Sequence, residues 1–185
     1  ARCHGVPPRE PWQFGEAATR AFRKFARLRY RLFPYLYSLA AEATETGMPV
    51  VRPLVLEYQD DPWVHGVDDQ FLLGSDLLVA PVLRADDTVD VYLPDDEWVD
   101  FWTGERIQGP VTLHREVPLD SMPLFVRAES VIPMADDEIP RTIEGLSGER
   151  SLRVTLSADG ESRARGSVFD AAAGELREVV VDCDA

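Results

Sequence analysis

The hydrophobic period of this chain changes once, near residue 48, and that change limits the folds open to it. Phe22, Phe25, Leu28, Leu32, Leu36, Leu39 and Ala43 recur at steps of three or four. That spacing predicts a long helix from Glu16 to about Thr46. Gly47 followed by Pro49 is a stop signal. Pro34 lies inside the pattern and predicts a kink, because it lacks an N–H and crowds the carbonyl one turn back. Residues 1 to 15 carry Gly5, Pro7, Pro8, Pro11 and Gly15 and read as loop. After Met48 the period falls to two. Short β-rich runs follow at Val50 to Tyr58, Phe71 to Val82, Thr88 to Leu93, Glu97 to Trp102, Val111 to Val117 and Leu124 to Pro133. Such runs, separated by Gly, Pro and Asp, predict an antiparallel sandwich or barrel. Trp102 to Glu105 reads as a hairpin turn.

The polar stretch from Ala135 to Gly148 reads as a linker. Ser151 to Leu156 and Glu175 to Val181 then alternate again around Asp159-Gly160, as the start of a second β unit too short to close alone. The expected fold class is mainly β with a long N-terminal α-helix. A lone helix ahead of a sandwich would leave its apolar stripe poorly covered. It reads better as the last helix of an α/β domain that lies upstream.

The chain has 185 residues, 45% of them hydrophobic, which excludes wholesale disorder. No apolar stretch approaches the ~20 residues of a bilayer span. No basic segment leads into an apolar one as in a signal peptide, so the expected location is cytoplasmic. The sequence opens inside a motif and reads as a piece of a longer protein. Acids outnumber bases 33 to 19, for a net charge of -14. Nucleic acid and anionic membrane are therefore expected to be repelled. Acid doublets recur at Asp60-Asp61, Asp68-Asp69, Asp86-Asp87, Asp95-Asp96 and Asp136-Asp137. None forms a spaced calcium loop, and no metal or cofactor is implied. An acidic surface of this kind suits high salt, where screening removes self-repulsion, and a halophilic source is expected. Cys3 and Cys183 stand at opposite ends of the chain and read as free thiols.

The predicted helix carries an inverted charge pattern. Residues 20 to 31 hold Arg20, Arg23, Lys24, Arg27, Arg29 and Arg31 without an acid, while Glu42 and Glu45 lie near its C-terminal end. This opposes the macrodipole. Some of these arginines are expected to pair with carboxylates on another surface. A chain with so bare a helix is also expected to self-associate through it.

Composition and spacing supply little catalytic chemistry. His65 and His114 lie in turn and strand patterns, with no evident partner. No nucleophile elbow, phosphate loop or paired metal-binding histidines occur. Acids fall mostly in turns of the β region. None is evidently placed to be buried against an apolar wall, as a catalytic acid of raised pKa would be.

Longer motifs carry more. Arg29 to Leu39, reading Arg-Tyr-Arg-Leu-Phe-Pro-Tyr-Leu-Tyr-Ser-Leu, resembles the Leu-Arg-Tyr-x-Leu-x-Pro-Tyr-Leu-Tyr-x-Leu helix of glycoside hydrolase family 31. Gly47 to Leu54, Asp69 to Gly74 and Leu77 to Val82 follow in the family's order. Val91 to Pro94, Trp98 to Gly104 and Pro123 to Arg127 complete the run. The resemblance covers residues 1 to 133. It implies a retaining α-glycosidase, of α-glucosidase or α-xylosidase type, acting on an α-linked oligosaccharide or α-glycoside. It implies that residues 1–47 are the last loop and last helix of a (β/α)8 barrel. Residues 48–133 would be a proximal β-sandwich, and residues 134–185 a linker and part of a distal β domain.

The family's nucleophile and acid/base aspartates sit on earlier barrel strands, so no acid here inherits those roles. Arg2-Cys3-His4-Gly5 matches the motif after the final barrel strand, whose histidine hydrogen-bonds sugar hydroxyls. His4 is therefore the substrate-binding residue expected first, with Arg2 and Trp12 near the pocket rim; Cys3 fills a variable position. The alternative is a stand-alone carbohydrate-binding or interaction β-sandwich module, which would need neither the helix nor the Arg2 to Gly5 motif.

Overall fold

The 3.6-residue stripe folds as two helices, α1 (Gly15–Arg31) and α2 (Phe33–Thr46), that meet at Leu32. The computed structural model describes residues 7–135, 150–155 and 162–183. The disruption expected at Pro34 falls two residues earlier. Pro34 itself occupies the first turn of α2, where its missing N–H has no intrahelical partner to lose. A short 3-10 turn, Pro11–Phe14, precedes α1. Gly47 closes α2 at φ 78, and its N–H donates to the Ala43 carbonyl.

The expected run Val50 to Tyr58 is mostly not strand. Only β1 (Val51–Arg52) is extended, and Pro53 then opens a single helical turn, α3 (Leu54–Glu57), that puts Leu54 into the core. Proline cannot donate to a ladder, and its φ suits a helix start. Gly74 divides the next run into β2 (Phe71–Leu73) and β3 (Leu77–Val79). Then come β4 (Thr88–Leu93), β5 (Glu97–Asp100), β6 (Arg106–Gln108) and β7 (Val111–Glu116). The turn predicted at Trp102 to Glu105 joins β5 to β6. β8 (Leu124–Arg127) and β9 (Ser130–Ala135) divide the last expected run. β10 (Arg150–Thr155), β11 (Ser162–Asp170) and β12 (Glu175–Cys183) complete the chain, and β11 has no counterpart in the sequence reading.

The central layer is a six-stranded sheet in the order β1-β2-β3-β8-β5-β6, antiparallel throughout. Both of its faces are covered. Leu72, Leu78, Trp98 and Phe125 pack with Val89, Val91 and Leu93 of the β4-β7 ribbon, together with Leu54 and Val64. Leu77, Val79, Leu124 and Val126 face the other way, onto Leu32, Tyr35 and Leu39 of the helices and Ile132 and Met134 of β9. Burial on both faces explains why Leu77 to Ala80 and Leu124 to Val126 read as continuous apolar runs.

A second sheet, in the order β10-β9-β11-β12, packs on α2. β9 belongs to this sheet, so the run Leu124 to Pro133 contributes to both layers. Phe169 of β11 lies 4.8 Å from the Tyr37 ring, and its N–H donates to Ser38 Oγ at 2.9 Å. The fold is thus mainly β, with antiparallel sheets and a helical segment near the N-terminus. Helix α2 is wedged between the two sheets, whereas α1 buries only Ala21. No described helix is long and apolar enough to cross a membrane. Most of the expected linker and Cys3 lie outside the described residues, while Cys183 ends β12.

Candidate functional site

Arg2 and His4 lie outside the described residues. Trp12 is in the turn ahead of α1, anchored by buried Pro11, and is 64% exposed, with Phe14 close behind at 68%. Glu10 Oε2 beside them is buried and meets no hydrogen-bond donor among the described residues. This end of the chain therefore presents two large aromatics that neither sheet covers.

The cations of α1 find few partners. Arg20 reaches Glu16 at 3.4 Å, both side chains well exposed, a contact of small worth. Lys24 Nζ donates to the Asp120 carbonyl at 2.7 Å and lies 5.0 Å from the centre of the Trp102 ring. Arg31 Nε donates to the Ala135 carbonyl at 3.4 Å. Among the described residues, Arg23, Arg27 and Arg29 have no carboxylate within ion-pair distance.

Three polar clusters fix α2 and the sheets, and the sequence announced none of them. Arg52, which is 3% exposed, spreads its guanidinium over three acceptors. Nε donates to the Pro49 carbonyl at 2.9 Å, Nη1 to Glu57 Oε1 at 2.8 Å and Nη2 to Glu42 Oε1 at 3.0 Å. Burial works against its charge, but the two glutamates outweigh it and hold the guanidinium more firmly protonated than usual. Tyr58 donates to Asp96 Oδ2 at 2.8 Å and accepts from Arg127 Nη2 at 2.7 Å. Arg127 also lies over the Tyr58 and Trp98 rings.

Asp76 corrects the expectation that no acid is buried. Burial pushes its carboxyl above the ordinary range, and a 2.8 Å hydrogen bond from Ser75 Oγ only partly offsets this. It lies in a cleft of about 480 Å³ between α2 and the second sheet, lined also by Tyr35, Glu42, Arg127 and Arg165. Glu42 shares the cleft, but Arg52 engages it. The cluster joins elements and does not assemble an acid–nucleophile pair.

The histidines correct a second expectation, since both have partners. His114 Nδ1 lies 2.7 Å from Asp90 Oδ1 across the β4-β7 ladder, and His65 Nε2 lies 3.0 Å from the Gln59 carbonyl. Both rings are exposed. Sequence spacing hides the Asp90–His114 pair, because it depends on strand register. Among the described residues, no group of three His, Cys, Asp or Glu side chains is placed to hold a metal ion.

Comparison with known proteins supplies context for this geometry. Residues 1–39 match the model of the glycosyl hydrolases family 31 TIM-barrel domain, and residues 47–132 that of the glycosyl hydrolase family 31 C-terminal domain. The chain is 38% identical over 159 residues to alpha-glucosidase 2 of Bacillus thermoamyloliquefaciens, covering 85% of this chain and 20% of that protein. It is 43% identical over 136 residues to an alpha-xylosidase of Saccharolobus solfataricus, covering 72% and 19%. It superposes on a Flavobacterium johnsoniae GH31 dextranase complexed with glucose at a TM-score of 0.84 and 32% identity, covering 98% of this chain and 23% of the other. The chain thus spans about a fifth of the length of the curated relatives it matches.

Proposed function

Because the chain belongs to glycoside hydrolase family 31, we propose that it forms the end of the catalytic barrel and the following β domains of a retaining α-glycosidase. The observation that carries this reading is the succession of the two family matches, 1–39 then 47–132, shared with relatives named as an alpha-glucosidase and an alpha-xylosidase. On this reading residues 1–47 are the last loop and helix of the barrel, 48–133 the proximal β unit and 134–185 the linker and part of the distal one. The bareness of α1 supports it. A helix with one buried residue suits a place on the outside of a barrel, against neighbours that this chain does not supply, and counts against a stand-alone β module.

Hydrolysis with retention needs two carboxylates about 5–5.5 Å apart, one attacking the anomeric carbon and one protonating the leaving oxygen. Both belong to earlier barrel strands. The part taken by this chain is to hold the sugar. His4 hydrogen-bonds ring hydroxyls, with Arg2 and Trp12 at the rim of the same pocket. Such contacts strengthen as the ring flattens toward the oxocarbenium-like transition state and so raise the rate. The substrate is an α-linked oligosaccharide or α-glycoside of glucose or xylose.

Activated aryl α-glucosides and α-xylosides, offered to the full-length protein and to this chain, test the reading. The full-length protein is expected to turn over at least one of them, and the chain alone neither. His4→Ala in the full-length protein is expected to lower kcat/KM by about ten- to a hundredfold, with little change in melting temperature. Turnover by the isolated chain, or a full-length protein inert on both classes, overturns it.

A further inference from the structure

Trp63 is 75% exposed, yet it stands on a firmly held turn. The turn Pro62–Gly66 is capped by Asp61, whose Oδ1 accepts from the Trp63 N–H at 2.9 Å. Asp61 Oδ2 accepts from the Tyr92 hydroxyl at 2.5 Å, tying the turn to β4. The next residue, Val64, is 1% exposed in the core between the sheets. His65, one further, reaches back to the Gln59 carbonyl. An indole with a free face on so rigid a support is an apolar platform that needs no reorganisation to receive a ligand.

Beside the indole runs a cleft of about 500 Å³, lined among others by Tyr58, Asp60, Tyr92, Asp95 and Pro110. Its volume falls within the range of small-ligand sites. Four acids line it, and they are not equivalent. Glu57 is engaged by Arg52, and Asp61 by Tyr92 and the Trp63 N–H. Asp60 and Asp95 are exposed and make no hydrogen bond or ion pair within the described residues, so their oxygens are available as acceptors.

We propose that this cleft, on the proximal β unit, binds a neutral α-linked glucose oligosaccharide. A sugar ring offers an apolar C–H face and a rim of hydroxyl donors. The face suits the Trp63 indole, and the hydroxyls suit Asp60 and Asp95. An anionic ligand would meet only acids. A hydrated metal ion would use the acids and leave the indole face unfilled, whereas an organic ammonium would suit both, as Lys24 does over Trp102, and is told from the sugar by its dependence on salt. The choice of α-linked glucose within the saccharides rests on the α-glycosidase reading above. The site would hold a polymeric substrate on the enzyme while its end is cleaved elsewhere on the protein.

Tryptophan emission of the 185-residue chain, titrated with isomaltotriose, tests this. Saturable binding is expected in the millimolar range, unchanged between about 0.05 and 1 M KCl because the contact is uncharged on the ligand side. Trp63→Ala is expected to weaken binding at least about tenfold while the circular dichroism spectrum stays the same. Trp102→Ala, which removes a different partly exposed indole, is expected to leave the affinity unchanged. No saturable response up to about 50 mM, or a Trp63→Ala chain that binds as well as the parent, overturns the proposal. So does binding of spermine in place of the sugar, abolished by salt, which would make this a cation site. Because the readout is binding by this chain, it separates from hydrolysis by the full-length protein. An active enzyme whose chain here ignores isomaltotriose loses only this inference.

Discussion

The Tyr35 hydroxyl donates a 2.8 Å hydrogen bond to the carbonyl oxygen of Leu73, pinning α2 to the β2-β3 hairpin of the central sheet. The contact leaves no room at the next residue. A Cβ on Gly74 would lie 2.5 Å from the Tyr35 hydroxyl oxygen and 2.6 Å from Leu39 Cδ2, and Gly74 adopts φ +66. Gly74→Ala therefore combines left-handed strain with overpacking and is expected to destabilise the chain by about 2–4 kcal/mol. Gly104 has a similar φ, +78, but open space around it. Gly104→Ala should cost only the strain, about 1 kcal/mol. Urea unfolding of the two variants checks this. Equal midpoints would show that the Tyr35 contact yields freely.

Arg52 is the second tie between helix and sheet, and it is an ionic one. Its side chain is 4% exposed, against 18% for Glu57 and 35% for Glu42. Arg52→Met removes the cation and leaves the two glutamates and the Pro49 carbonyl without their donor. The glutamates retain some access to water, so the expected loss is about 2–4 kcal/mol, at the lower side of what breaking a buried pair costs. Arg52→Lys should not restore it, because one ammonium cannot reproduce a planar fork aimed at three acceptors. Thermal melts of the two variants and the parent decide. A lysine variant as stable as the parent would show that charge alone is needed.

These two ties show which parts of the structure sequence can disclose. The apolar period located α1 and α2 because packing on one face imposes it directly. Gly104 marks its turn through its own chemistry, whereas Gly74 sits inside a run that reads as one strand and divides it only in the fold. β11 escaped because Ser162 to Gly166 offers only small or charged residues, and its pairing with β12 and β9 makes it a strand. α3 escaped because Val50 to Leu56 is rich in strand formers and one proline overrides them. Arg52 gathers acceptors from three segments within ten residues, while the burial of Asp76 and the Asp90–His114 pair depend on residues distant in sequence, and no local pattern marks such meetings. His4 and Arg2 are singled out only by a family motif and lie outside the described residues, and Trp63 reads from sequence as part of a turn.

Asp76 predicts a pH dependence of definite sign. Its folded carboxyl is raised by burial above its ordinary range, so the folded chain holds this proton at a pH where the unfolded chain has lost it. The contribution of Asp76 is fully present below the unfolded pKa and is lost as pH rises through the folded one. Stability from this residue therefore falls with rising pH, from the ordinary carboxylate range upward. Asp76→Asn keeps an acceptor for Ser75 Oγ without a charge to bury. It should be more stable than the parent at neutral pH, and the gain should vanish toward pH values below the ordinary carboxylate range. Melting temperatures of both proteins across that range measure the difference. A gain that is the same at every pH would mean that ionisation of Asp76 is not the cause.

The net charge of -14 predicts a response to salt. The structure sorts the acid doublets. Asp61 and Asp96 turn inward to Tyr92 and Tyr58, whereas Asp68, Asp69 and Asp87 stay in solvent. Repulsion among solvated charges acts over roughly 30 Å at 0.01 M salt and roughly 3 Å at 1 M. Because repulsion opposes compaction, the melting temperature should climb as KCl rises from about 0.05 to 1 M and then level off as screening saturates. A climb that continues beyond that point needs salting-out of apolar surface. Sulfate would enhance it relative to chloride at matched ionic strength. Neutralising Asp68 and Asp69 together to asparagine should reduce the slope below 1 M and leave the high-salt midpoint unchanged, because those two charges are then already screened. A midpoint that stays flat or falls with KCl would show that the acidic surface is not an adaptation to salt.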